Sequence, residues 1–549
     1  GSNNGGLITG DTYYIPVKAS KPGAVTIVEF AENLSEATLG QEDITLTAKL
    51  FLAQSSIQVP EVRDIVTDER NWSQEDAYIT VKAGITSYDS AILVGGTPAR
   101  LPVAAAKLFV EHRDLLQDYV TAIDSVRNLA DVATKLGTVH PDNPLAQGVY
   151  DAVLNAANQA VYFIGVGTND LAGYTEAIKI SEKSEKVYSF VPMTFDRQIQ
   201  DAVTAHVNAY STPEVGRWRI AWLAVEDVKT SVIYDLQEDG TSYTCTITDD
   251  PMVSGVQNRL VTINGAKFLE DGVRPNDSLR VNHRLNADGK LIYDEYVVDH
   301  VRTNTTLVLT KNLSAPITQP TKCEVIRNFT KSERASNIAA VGGGYNNRRV
   351  RVVFPDTFKY GKTVKQGYFA AAGLAGLRSG VVPHQGLTNS EYLGADDLSK
   401  VVLEFTQDDL DTMAAQGVWL ITQEVIGATP YVRHQLTTDE SSLNTSEDSI
   451  TTNVDSLSYA LKNTLKPFVG RYNVNIENLT VVRSAVIQEL TYRATSTYTA
   501  RAGNQLVSFN PKDDIIRLEQ NSTFKDRIDA EVRLNVPYPM NYISLKLIV

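Results

Sequence analysis

The sequence predicts a multidomain protein of mixed α+β and α/β class, with an inserted antiparallel β module and strand-like segments at both ends. Three observations carry that prediction. From about residue 150, helical stretches alternate with short apolar runs, the rhythm of a parallel sheet with helices on its faces. Residues 231–328 replace it with closely spaced β-rich runs separated by Asp-Gly and Asn-Gly turn pairs. The chain then closes on two runs of apolar–polar alternation. Its 549 residues far exceed a usual domain of ~100–200, so three or more folding units are expected.

Taken in order, Tyr13–Val17 is strand-like, and Val25–Phe30, Ile44–Leu52 and Tyr78–Lys82 follow as strands. Ile44, Leu46, Ala48 and Leu50 alternate with polar neighbours, the period of a half-buried strand. Pro102–Ala133 reads as helical, with Pro102 at a first turn where its missing donor costs nothing. Asp151–Gln159, Asp170–Lys183 and Phe195–Tyr210 are helical. Val161–Val166 reads as a fully buried strand, with Val187–Val191 and Trp218–Val225 as the next two. In the β module, Asp239-Gly240, Asn264-Gly265, Asp271-Gly272 and Asp288-Gly289 are turns between the strands of a small barrel or sandwich. The α/β pattern resumes with helix Arg334–Ala340, strand Arg349–Phe354, helix Gly367–Leu377 and strand Trp419–Val425. Ser441–Ser449 is a polar linker to a compact unit with helices Val454–Leu465 and Val481–Ala494. These signals divide the chain into an N-terminal arm (1–20), a β-rich module (21–100), an α/β domain (101–230 and 329–440), the β insert (231–328), a C-terminal core (441–536) and a C-terminal arm (537–549).

Composition narrows the function. The chain is 43% hydrophobic and 21% charged, which is ordinary globular usage. Its 51 Lys+Arg against 65 Asp+Glu leave a net charge of −14, a surface that repels phosphate backbones and anionic lipid. Neither nucleic acid nor membrane is an expected partner. No run reaches the ~20 apolar residues of a membrane helix, and the first residues lack a signal-peptide pattern. A cytosolic site of assembly with reduced thiols is therefore expected, and the two cysteines, Cys245 and Cys323, read as buried structural residues of the insert.

A search for chemistry returns no catalytic, cofactor or metal constellation. Gly165-Val166-Gly167-Thr168-Asn169-Asp170 follows a strand and precedes a helix, but a dinucleotide site needs glycine where Asp170 stands. The simpler reading is a tight turn with Asp170 or Asn169 capping the helix. Gly342-Gly343-Gly344 follows a helical stretch and has no Lys-Ser/Thr, so it reads as a helix cap and hinge. No two of the seven histidines have the spacing and acidic neighbour of a zinc-protease helix, and there is no Gly-x-Ser-x-Gly elbow or Cys-x-x-Cys pair.

The termini carry more information. Ile528, Ala530, Val532, Leu534 and Val536 form one apolar face. After the stiff spacer Pro537-Tyr538-Pro539, Ile543, Leu545, Leu547 and Val549 form another. Extended, Ile543–Val549 reaches about 23 Å, enough to cross to another subunit. Tyr13, Tyr14, Ile15 and Val17 are the matching segment at the other end. Two outcomes stay open on pattern alone: pairing within one core, or strand addition to a neighbouring chain.

The sequence resembles the contractile-tail sheath proteins of bacteriophages, with relatives in R-type pyocins and type VI secretion sheaths. The resemblance is carried by Asn143-Pro144-Leu145 through Gly167, Val191-Pro192-Met193-Thr194, Phe468-Val469-Gly470-Arg471-Tyr472-Asn473, and the ending Ile528–Val536 with Pro537 to Ile543. It spans roughly residues 140–230 and 330–549, while the insert and the first ~100 residues match only in general character.

The resemblance implies an inner core built from the two chain ends, with α/β and β modules projecting outward. It implies arm strands (Tyr13, Tyr14, Ile15, Val17, Ile543, Leu545, Leu547, Val549) exchanged between subunits and added to a partner core strand (Ile528, Ala530, Val532, Leu534). Lys462, Lys466, Arg483 and Arg493 would then lie near the tail tube. The implied function is a virion structural protein assembled in the host cytoplasm as hexameric rings stacked on the tube. Its partners would be itself, the tube protein, and the baseplate and tail terminator proteins. Contraction from a metastable extended lattice would drive the tube into the host for genome delivery. No nucleotide is implied, and Lys18–Pro22 and Val536–Asn541 would act as flexible linkers. The competing readings are an α/β nucleotide-dependent enzyme using Gly165–Asp170, and a surface adhesin that binds through the insert.

Overall fold

A computed structural model of the chain describes residues 123–541, except 137–138, 142, 167–168, 236–242, 255–256, 286–290 and 497–501, together with the backbone of seven earlier strands. Those strands are β1 (Tyr13–Val17), β2 (Val25–Glu29), β3 (Ile44–Leu52), β4 (Glu61–Asp64), β5 (Asn71–Trp72), β6 (Ala77–Ala83) and β7 (Lys107–Glu111). They form one sheet in the order β1-β3-β6-β5 and a second in the order β2-β7-β4. β1 runs parallel to β3 of the same chain, Tyr13 beside Ala48 and Val17 beside Leu52. β7 falls within Pro102–Ala133, where the sequence suggests a helix. Its pairing with β2, Val28 beside Leu108 and Thr26 beside Val110, overrides that local preference.

β8 (Asp124–Val126), α1 (Leu129–Leu136), α2 (Pro144–Asn155) and β9 (Val161–Phe163) come next. The expected buried strand at Val161–Val166 is only β9, half-buried at Val161 and Tyr162 and paired antiparallel with β8, outside the main sheet. Then follow α3 (Leu171–Glu182), β10 (Ser189–Phe190), α4 (Arg197–Tyr210) and β11 (Ile220–Ala224).

The chain divides into two compact units, Asp227–Ile338 with Gln407–Asp409, and the remainder. The smaller unit contains β12 (Thr230–Tyr234), β13 (Thr244–Asp249), β14 (Asn258–Ile263), β15 (Ser278–Leu285), β16 (Leu291–Val301), β17 (Thr306–Leu313) and β18 (Ile317–Asn328). Their order is β12-β18-β13-β14-β17-β16-β15, and β15 pairs back onto β18 to close a barrel. Gly265 and Gly272 take positive φ (80° and 69°), as the Asn-Gly and Asp-Gly turns require, while Asp239-Gly240 and Asp288-Gly289 lie outside the described residues. Phe268, Ile247, Leu279, Leu307 and Val325 fill the barrel, and Cys245 and Cys323 are buried among them as free thiols. Asp227 and Arg334, near the first and last residues of the unit's long segment, are joined through Nε–Oδ1 at 2.8 Å.

The other unit resumes in the helix α5 (Lys331–Tyr345) and continues with β19 (Val350–Phe354), β20 (Thr357–Tyr360), β21 (Thr363–Gln366) and α6 (Gly367–Ser379). α7 (Ser399–Glu404), α8 (Gln407–Ala414), β22 (Val418–Thr422) and β23 (Tyr431–Val432) follow. The main sheet has the order β10-β11-β19-β22-β23, parallel up to β22 and antiparallel at β23. Every residue of β11, β19 and β22 is buried, Arg351 and Thr422 included, as the largely apolar strands of a covered parallel sheet require. Trp222 and Trp419 meet edge-to-face across it at 4.8 Å. Gly376 of α6 sits so close to α2 that an added Cβ would overlap the carbonyl oxygen of Ala152. Gly342 and Gly343 lie inside α5 rather than capping it, and an added Cβ on either would overlap Gln416.

The C-terminal part holds α9 (Leu443–Ser446), α10 (Asp448–Leu465), α11 (Ile476–Thr495), β24 (Ile515–Gln520) and β25 (Ile528–Val532). Ile450 and Leu457 of α10 meet Val486 and Leu490 of α11 in a core shared with Leu506, Ile515 and Val536. The expected polar linker Ser441–Ser449 is instead a pair of helix starts, with Glu447, Asp448 and Ser449 buried. Its charges are buried because partners await them.

Candidate functional site

The ends of β19 and α10 meet through charge. Arg349 and Arg351 stand two residues apart near the start of β19. Asp448 and Asp455 stand seven apart on α10 and so share one helix face. Arg351 Nε donates to Asp448 Oδ1 at 2.7 Å, and Arg378 of α6 reaches the other carboxylate oxygen at 3.4 Å. Arg349 pairs with Asp455, whose Oδ2 also accepts from Tyr188 Oη at 2.7 Å. Burial, then the charge of Asp455, pushes the Tyr188 phenol well above its usual value. The C-terminal helices are thereby fastened to the main sheet, since breaking such a pair leaves a buried charge unmatched.

Two other buried ionisable pairs have the shifted character of chemical sites and a structural explanation. Lys365 Nζ donates to Asp151 Oδ1 at 2.7 Å and to Gly394 O at 3.2 Å, while Gln147 Nε2 donates to Asp151 Oδ2 at 2.9 Å. Burial pushes the Asp151 carboxyl up to about 6, against the downward pull of Lys365. His206 is buried with its ring against the Arg219 guanidinium, and burial followed by that charge holds it down to about 4. Both pairs sit among packed helices and strands, joining elements rather than facing a shared reacting position.

The glycine-rich turn resolves at its far end. Asp170 caps α3, its Oδ1 accepting from Gly173 N at 2.9 Å. A carboxylate thus occupies the helix N-terminus where a nucleotide phosphate would sit. Gly167 and Thr168 lie outside the described residues. Among the described residues, no group of three His, Cys, Asp or Glu side chains gathers as a metal site.

The exposed end of the C-terminal part is a ribbon. β24 and β25 pair antiparallel, Ile515 beside Val532 and Leu518 beside Ala530, and among the described residues no third strand joins them. Ile528 is half-buried, Val532 and Leu534 lean on the helical core, and Ala530 is exposed. Ile516 and Phe524 are 53% and 60% exposed, leaving much of the ribbon uncovered. Arg517 and Arg527 both reach Asp529 at 3.0 Å across or along it. Ile543, Leu545, Leu547 and Val549 lie outside the described residues.

Three of the four expected tube-facing cations are engaged by their own chain. Lys462 donates to Gly216 O at 2.9 Å, Arg483 to Pro511 O at 3.4 Å, and Arg493 to Glu489 Oε1 at 2.7 Å. Lys466, in a 3-10 turn after α10, is exposed.

Sequence reasoning missed a cluster around the root of the C-terminal segment. Tyr538 Oη donates to Asn444 Oδ1 at 2.6 Å. Asn541 Nδ2 donates to Glu447 Oε1 at 2.6 Å and lies 3.1 Å from His434 Nε2. Thr388 Oγ1 donates to Asn541 Oδ1 at 3.2 Å. These partners come from separate segments of the chain, so no local pattern announces them.

No known family profile matches the chain, and no curated protein does. Solved structures that it is similar to include sheath proteins of contractile systems. The helical sheath of the anti-feeding prophage in its contracted state shares 10% identity at a TM-score of 0.44, covering 78% of this chain and 89% of that one. The PVC sheath complex of an extracellular contractile injection system, also contracted, shares 12% at 0.44, covering 78% and 86%. A sheath tail protein from Listeria innocua shares 10% at 0.35, covering 76% and 88%.

Proposed function

We propose that this chain is a structural subunit of a contractile tail sheath, assembled by strand addition between copies. The β24–β25 ribbon carries the proposal. The ribbon rests one face on the helical core, but among the described residues its edges stay unpaired, and open edges template pairing with another chain. The alternating run Ile543–Val549, outside the described residues, has the pattern of a strand that would fit such an edge, its main chain supplying hydrogen bonds and its alternate apolar side chains setting register. The residue patterns shared with phage sheath proteins support the same reading. β1 pairs in this chain with β3 at the edge of its sheet, so exchange of this strand into another subunit would require it to leave that position.

On this reading hexameric rings stack around a tail tube, joined to baseplate and terminator proteins, in a virion assembled in the host cytoplasm. Contraction releases energy stored in the extended lattice and drives the tube through the host envelope for genome delivery. Lys466 is the best placed of the four cations to meet the tube. No catalytic step is required, and the Asp170 cap argues against the nucleotide reading. The test is negative-stain microscopy of purified protein with its tube partner. Full-length chain should form sheaths, and a chain lacking Ile543–Val549 should stay a folded, soluble subunit. Normal-length sheaths from the truncated chain would overturn the proposal.

A further inference from the structure

The segment leading to the C-terminal strand reads in sequence as a flexible linker from Val536 to Asn541. The structure fastens it along that length. Val536 is buried in the α10–α11 core. Pro539 lies against Gly386, where an added Cβ would come within 3.2 Å of Pro539 Cβ. Tyr538 is tied to Asn444, and Asn541 reaches Thr388, His434 and Glu447. Glu447 is 1% exposed, and its other oxygen accepts from Gln435 Nε2 at 3.1 Å. His434 Nε2 lies 3.0 Å from the oxygen that Asn541 uses. A buried carboxylate needs its acceptor sites filled, so Asn541 is held by the requirement of Glu447 as well as by its own amide.

We propose that Asn541 is the positioning residue of strand exchange: with Glu447, His434 and Thr388 it clamps the root of the C-terminal strand to its own subunit. The residues that follow would then depart from one fixed point, Asn541, instead of from Val536. Fixing the point of departure raises the effective concentration of the strand at a neighbour's ribbon edge, because fewer orientations are wasted. This inference rests on the sheath reading above and adds the residue that aims the strand.

The test compares critical concentrations for polymerisation, read by sedimentation, with thermal midpoints of the unpolymerised subunit. Asn541→Asp sets a second carboxylate against Glu447 and should raise the critical concentration about tenfold. Adding Glu447→Gln to that variant restores a donor opposite the introduced carboxylate and should return it to within about threefold of the parent. Asn541→Ala, which removes the clamp without adding charge, should move in the same direction by a smaller factor, and keeps the test valid should Asn541→Asp fail to fold. The uncharged Asn541→Ala should raise the critical concentration with little change in thermal midpoint, and the Glu447→Gln rescue should exceed any recovery of midpoint. A merely structural role would move the midpoints instead, and that result overturns the inference, as does parental assembly by Asn541→Ala. A full-length parent that never polymerises overturns the sheath reading itself.

Discussion

Arg351 and Asp448, 97 residues apart in sequence, are both fully buried and meet at 2.7 Å. A strand of the main sheet and the first turn of a C-terminal helix are thus joined by one charge-assisted bond. The Asp448 carboxylate also faces Arg378, and the helix N-terminus favours its charge.

Asp448→Ala is therefore expected to leave two buried guanidiniums without their acid. The loss should be about 3–5 kcal/mol of unfolding free energy, read from urea denaturation. A loss under about 1 kcal/mol would place the pair among exposed bridges in its effect.

Asp151 gives a pH dependence. Its carboxyl is raised from 3.8 to about 6, so the folded chain holds a proton that the unfolded chain has lost across that window. The associated stability is fully present below the unfolded value and is lost as pH rises through about 6. On the order of 3 kcal/mol is involved. Asp151→Asn should flatten this part of the stability profile, measured by denaturant titration at several pH values.

His206 has the opposite slope. Its ring is held from 6.5 down to about 4, so its contribution is present above the unfolded value and is lost as pH falls through about 4. The imidazole carbon-bound protons of His206 should show no titration between pH 7 and 5 in NMR spectra. A midpoint near 6.5 would show that the ring is solvated.

Gly376→Ala tests the packing of α6 on α2. The added methyl overlaps the Ala152 carbonyl, which belongs to a helix backbone and cannot rotate aside. A cost of about 1–3 kcal/mol is expected, seen as a lowered thermal midpoint with the circular dichroism spectrum unchanged.

What was legible in the sequence followed from local physics. β11, β19 and β22 were readable because strands covered on both faces are mostly apolar, Arg351 being the charged exception, and Asp170 was readable as a cap from its position before a helical run. Lys107–Glu111 was missed because its strand character comes from β2, a partner distant in sequence. Ser441–Ser449 was misread because polar composition ordinarily means solvent. Two arginines at strand spacing and two aspartates at helix spacing explain one another only when set side by side. Asn541 had no local signature, since Thr388, His434 and Glu447 are brought to it by the fold.

The bond between Asp227 and Arg334 ties off the neck of the β-barrel unit, whose strands close on themselves. A barrel closed in this way carries its own hydrophobic core within itself. Swapping it for a short turn, or for a different graft, should disturb the remaining fold little.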